Sequence, residues 1–218
     1  MTSPAFAGQL ESGARALGLA LSPGQQAQLL DYLTLIQKWN QVYNLTAVRD
    51  PQEMLRQHLL DSLAVIEPLR RHAAGRPLRL LDVGSGAGLP GVVIAICCPD
   101  FSVDCVDTVG KKAAFIQQAA LTLKLPTLRG LHDRVERLAG PYDLITSRAF
   151  ASLADFVTWS GGALGEGGVW LAMKGKHPAE EIAALPADVA VFHVEPLQVP
   201  GLDAERCLLW LKKGGPVT

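Results

Sequence analysis

Apolar residues recur along this chain with one spacing before about residue 78 and with another after it, which separates a helical part from a sheet-forming part. In the first part Leu29, Leu33 and Ile36, with Tyr32 and Trp39, fall at three- and four-residue steps, the spacing that lines one face of a helix. Ser22-Pro23-Gly24-Gln25 stands just ahead of them. Ser and Gln three residues apart form a capping box, and a proline at the first helical position has no N–H to leave unpaired. Asp50-Pro51-Gln52-Glu53 repeats the start signal, and Leu55, Leu59, Leu63, Ile66 and Leu69 supply a second stripe. Two helices are expected ahead of everything else.

Beyond residue 78 the apolar runs shorten and alternate with glycine-rich or helical stretches, as parallel strands joined by crossover helices require. Strands are predicted over 78–83, 103–106, 127–131, 144–146, 168–173, 189–194 and 207–211, with the last two paired antiparallel because no clear helix separates them. The expected fold class is α/β, a mostly parallel sheet with an N-terminal helical cap. It forms one domain over 1–218, in which 1–75 is a helical extension and 76–218 the core. Between the two parts Arg70, Arg71, His72, Arg76 and Arg79 form a basic connector, suited to a helix C-terminus or to a phosphate.

Length and composition agree with one sizeable core: 218 residues, 49% hydrophobic and 19% charged. The N-terminus has neither a basic start nor a continuous apolar run, so secretion is not expected. The longest apolar stretch, 92–98, is far below the roughly 20 residues that span a bilayer. A cytoplasmic protein without membrane contact and with no evident protein partner is the expectation. The cysteines, Cys97, Cys98, Cys105 and Cys207, lack zinc-ligand spacing and lie in apolar runs, so they read as reduced core residues, and no metal site is expected. A net charge of −1 gives no global pull on polyanions, so any nucleic-acid contact must rest on local clusters.

The chemistry concentrates in LLDVGSGAGLPG. The apolar run ends at Asp82 and Val83, and Gly84, Gly86 and Gly88 follow with Ser85 and Leu89 among them, a turn in which backbone must pass close to a ligand. A dinucleotide fingerprint needs glycine where Leu89 stands, and a phosphate-binding loop needs Gly-Lys-Ser/Thr where Gly91-Val92-Val93 stands. Both templates fail, which fits a cofactor without phosphates, such as S-adenosylmethionine. About twenty residues on, the second strand ends at Asp107, placed to accept ribose hydroxyls.

These strings, together with WNQVYNLTAVRD, HLLDSL, VDTVGKKAAFI, DRVE, SRAFASL and MKGK, resemble the family of small-subunit ribosomal RNA guanine-N7 methyltransferases called RsmG or GidB, over nearly the whole chain. The resemblance implies the Rossmann-like class I methyltransferase fold, S-adenosylmethionine as cofactor, and 16S rRNA or the small ribosomal subunit as partner. It implies that Gly84 and Leu89 line the cofactor site, that Val135 and Glu136 sit beside the adenine, and that Arg148 completes it. Guanine N7 carries a lone pair and no proton, so no general base is needed and no catalytic side chain is assigned. Lys111, Lys112, Arg134, Arg137, Lys174 and Lys176 are candidate phosphate contacts. His58, Asp61 and Ser62 fall at helical steps, and a structural hydrogen bond is the plainer role for His58. The residues alone also admit methylation of a metabolite or protein, or a non-catalytic RNA-binding factor.

Overall fold

The computed structural model describes residues 4–214. Nine α-helices and seven strands occur among them, and the strands form one sheet in the order β3-β2-β1-β4-β5-β7-β6. The strands are β1 Arg79–Val83, β2 Ser102–Asp107, β3 Leu128–His132, β4 Tyr142–Arg148, β5 Leu164–Lys174, β6 Val189–Leu197 and β7 Arg206–Lys213. β1 to β5 run parallel, while β7 pairs antiparallel with both β5 and β6. Each predicted strand is present, including the closing antiparallel pair. The order reverses between β1 and β4, and open α/β sheets bind ligands at the carboxyl ends of the strands beside such a reversal.

The helical part departs from expectation in two ways. A third helix, α1 Pro4–Ala16, precedes the two expected ones. Its inward face carries small residues, Gly13 and Ala14, beside Leu10, so its stripe is weak in sequence. α2 Pro23–Tyr43 starts as predicted, with the Ser22 hydroxyl accepting from the Gln25 amide and the Gln25 side chain accepting from the Ser22 N–H. Leu29, Leu33 and Ile36 on its inner face are at most 1% exposed, and each such burial is worth roughly 1.5–3 kcal/mol. The second expected helix is broken. Asp50 caps a short α3 Pro51–Met54, a π-helical turn covers Leu55–Leu60, α4 Asp61–Leu63 follows, and α5 Ile66–Ala73 ends before the sheet.

α6 Gly91–Cys97, α7 Gly110–Thr122, α8 Leu153–Ser160 and α9 Ala179–Ala183 complete the helices. Alternate side chains along each central strand feed opposite layers. Leu80, Leu144, Leu208 and Trp210 face one apolar cluster, shared with α1, α2, α6 and α7; Leu81, Ile145, Leu209 and Leu211 face the other, under α8. The helical cap and the sheet therefore share one continuous core. All four cysteines are buried and free, with the Cys97 thiol pushed up to about 12 by burial, as inert core thiols require. No helix among the described residues is long and apolar enough to cross a membrane.

Candidate functional site

β1 ends in the glycine turn, and the turn is pinned from two sides. Gly84 and Ser85 donate their N–H groups to the Val106 carbonyl at 3.0 and 3.2 Å, and Gly86 donates to Asp107 Oδ2 at 3.0 Å. Gly84 and Asp107 are thus brought together, as a shared ligand would require. The other Asp107 oxygen, Oδ1, accepts from Val109 N at 2.9 Å, and Lys112 Nζ lies 3.6 Å from Oδ2. A carboxylate offers about four lone-pair sites, so two protein N–H groups leave acceptor capacity for a diol.

Two of the glycines are needed for their conformation. Gly84 has φ of +64°, and a Cβ there would come within 2.6 Å of the Phe150 ring. Gly88 has φ of +85°, and a Cβ would meet Val92 at 2.5 Å and Ile116 at 3.2 Å, and touch the Tyr32 hydroxyl at 3.4 Å. That hydroxyl donates to the Ala87 carbonyl, so α2 of the cap braces the turn directly. Leu89 turns its side chain into the core instead, which limits its contribution to the site to backbone.

Beneath the turn, Asp82 is fully buried. Its Oδ2 accepts from Gly91 N at 2.9 Å, whereas Oδ1 has no partner. Burial pushes this carboxyl up to about 7, opposed by the Gly91 N–H and Arg148 and reinforced by the Asp107 charge.

A cavity of about 460 Å³ opens over the ends of β1, β2 and β3. Its wall includes Val83, Gly84, Val106, Asp107, Val109, Val135, Glu136 and Phe150, with Trp159, Thr108 and Arg134 at its margin. The volume lies in the ~300–1,000 Å³ range of small-molecule sites. Its composition suits S-adenosylmethionine: valines for a flat base, the Asp107 carboxylate for ribose hydroxyls, and a stretch of bare backbone for the remainder. Phe150 and Trp159 were not singled out from the sequence. Phe150 lies within SRAFASL, but the placing of its ring over Gly84 is a tertiary fact.

Arg148 does not line this cavity. Its Nη1 donates to the Gln57 carbonyl at 2.7 Å and to Asp61 Oδ2 at 2.9 Å. Asp61 Oδ1 in turn accepts from Arg206 Nε at 2.8 Å. These residues frame a second cavity of about 370 Å³ over the ends of β4, β5 and β7, with His58, Met173 and Lys174 on its wall. Arg148 and Ala149 belong to this cavity and Phe150 to the first, so the turn leaving β4 stands between the two. His58 Nε2 is 2.9 Å from Thr46 Oγ1, which supplies the expected structural bond, while Nδ1 has no partner. Burial and then the Arg148 charge lower this imidazole to about 4, so it is neutral at pH 7.

The candidate phosphate contacts separate into three groups. Lys111 and Arg134 are exposed, and Arg134 lines the first cavity. Lys112 faces Asp107, Arg137 lies 3.8 Å from Asp133, and Lys174 is held by Glu181 at 2.8 Å, so part of their charge is already answered. Lys176 lines a different cavity, beside the loop joining β6 and β7.

A family model described as GidB, rRNA small subunit methyltransferase G, matches residues 25–209. The chain belongs to the GidB family. Relatives named ribosomal RNA small subunit methyltransferase G include one from Acidovorax sp. (strain JS42), 67% identical over 97% of both chains, and one from Acidovorax ebreus (strain TPSY), 69% identical over 93% of both. Among solved structures, TrmN from Thermus thermophilus matches with a TM-score of 0.56 at 23% identity, over 73% of this chain and 53% of that one. Coclaurine N-methyltransferase bound to N-methylheliamine and SAH matches at 0.55 and 12%, over 90% and 68%. Both show the shared class I methyltransferase fold. As a GidB member, the chain is an S-adenosylmethionine-dependent rRNA methyltransferase.

Proposed function

We propose that this chain, acting in the cytoplasm on the small ribosomal subunit, methylates N7 of an unpaired guanine in 16S rRNA. The observation that carries this is the pair of cavities flanking the reversal of strand order, divided by the turn that holds Arg148, Ala149 and Phe150. S-adenosylmethionine, when bound, supplies an electrophilic methyl group on a sulfonium.

In this assignment Gly84, Ser85, Gly86, Gly88 and the Leu89 backbone shape the donor side, Asp107 holds the ribose, and Val135 and Glu136 border the adenine. Arg148 stands at the boundary with the acceptor side. Guanine N7 has an exposed lone pair and loses no proton, so the side chains need only hold the acceptor in line with the methyl group. Positioning of this kind supplies on the order of 7–11 kcal/mol in favourable cases. N7 lies in the deep major groove of A-form RNA, beyond the reach of side chains, so the base must come from a loop or leave its stack. A bidentate arginine grip on O6 and N7 would block the reacting atom, so Arg148 is not assigned to hold the base in that way.

Incubation with labelled S-adenosylmethionine and unmethylated small subunits, followed by mapping of the modified base, tests the assignment. Label at N7 of one unpaired guanine of 16S rRNA is expected. Label in protein or small molecules instead would refute the RNA acceptor and leave the donor site standing.

A further inference from the structure

Bracing of the glycine turn is not the whole part of the helical cap, because the cap also contributes a buried carboxylate to the transfer edge. Asp61 is 3% exposed and follows directly on the π-helical turn. Its two oxygens take separate arginines, Arg148 from the end of β4 and Arg206 from the start of β7. Burying such a charge cluster is a poor stability device, because desolvation offsets most of the Coulombic gain and well-packed apolar residues often serve as well. Its geometric effect is larger. Arg148 Nη1 is fixed by two acceptors, Asp61 Oδ2 and the Gln57 carbonyl, both supplied by the π turn and its exit. Nε and Nη2 of Arg148 have no hydrogen-bond partner among the described residues, which leaves one edge of the guanidinium free on the wall of the second cavity, next to the turn at Ala149 and Phe150 that separates it from the first. π-helical turns are uncommon and recur at functional sites.

We propose that Asp61 is a positioning residue for methyl transfer, acting through Arg148, so that the cap sets the guanidinium between donor and acceptor. The inference rests on the methyltransfer assignment above. An interaction that acts only through a partner disappears when the partner is absent, so a double-mutant cycle tests it.

Rates on unmethylated small subunits are measured for the wild type, Asp61→Asn, Arg148→Ala and the double variant, with melting temperatures alongside. Asp61→Asn should lower kcat by roughly 10²-fold, the scale of a misplacement of about 1 Å, and the double variant should be no slower than Arg148→Ala alone. An additive double variant overturns the proposal. A readout independent of turnover is the Arg148 Nε–H signal in heteronuclear NMR of the ligand-free protein. It should show hindered guanidinium rotation in the wild type and free rotation in Asp61→Asn; identical behaviour counts against the idea. Should Asp61→Asn not yield folded protein, Asp61→Glu keeps the charge but displaces Arg148. It must lower kcat by at least about tenfold in a chain that melts cooperatively, and an unchanged kcat overturns the proposal. A wild-type chain that binds S-adenosylmethionine but never labels small subunits fails the acceptor assignment itself, and the role of Asp61 falls with it.

Discussion

The two sides of the strand-order reversal are built on opposite plans. On the proposed donor side, backbone makes the site: three glycines, a carboxylate held by main-chain N–H groups, and a wall of valines. On the proposed acceptor side, long charged side chains make it: Arg148 and Arg206 about Asp61, with a neutral His58 behind them. A backbone site is rigid before any ligand arrives and tolerates little change in shape, whereas a side-chain site depends on which partners hold its charges. The difference suits a small cofactor of fixed shape on one side and a base drawn from a large RNA on the other.

The sharpest way to break the donor half is Gly84→Val. A β-branched residue at φ of +64° against the Phe150 ring combines backbone strain with overpacking, and donor affinity should fall by about 10³-fold, measured by calorimetry. Asp107→Ala should come next. It leaves the Gly86 and Val109 N–H groups without their acceptor and removes the ribose ligand, and a loss of about 10²-fold in donor affinity is expected. Unchanged affinity in either variant would remove the basis for calling this the donor side.

The two halves should also carry opposite pH signatures. His58 is lowered to about 4, so the unfolded chain binds its proton more readily. Stability from this residue is full above about 6.5 and is lost as pH falls towards 4, by up to about 3 kcal/mol. Asp82 is raised to about 7, so the folded chain binds its proton more tightly. Its contribution is full below about 3.8 and is lost as pH rises towards 7, by up to about 4 kcal/mol. Melting curves between pH 4 and 8 should show His58→Gln flattening the acid limb and Asp82→Asn flattening the neutral one. Slopes unaltered by the two variants would undo the contrast. The smallest effect belongs to the rim, where Lys111→Ala or Arg134→Ala should each reduce the salt dependence of subunit binding, by about 0.7 in slope for every phosphate the side chain neutralises.

How much of each half could be read from the chain follows from the same difference in plan. The glycine turn and Asp107 each sit at a strand end inside a short contiguous string, so local spacing points to them, whereas Val135 and Glu136 entered through the family resemblance of DRVE. Asp61, Arg148 and Arg206 meet across separations of 87 and 145 residues, and no spacing rule joins residues so far apart. The strands were legible because buried parallel strands read as apolar runs. α1 was not, because Gly13 and Ala14 pack closely without leaving a hydrophobic stripe. Lys112 and Lys174 read as free cations in sequence because their partners, Asp107 and Glu181, reach them only in the folded chain.

The wide turn at Leu55–Leu60 acts as a phase offset in the cap. An ordinary helix advances about 100° per residue, so removing one residue there to restore regular winding would swing everything up to Leu63 by about that angle. The carboxylate that now faces two arginines would then be turned away from them, and the cavity they share would lose its Asp61 wall. The local irregularity is thus the adjustment by which an otherwise plain helical layer is brought into angular register with the sheet edge it serves.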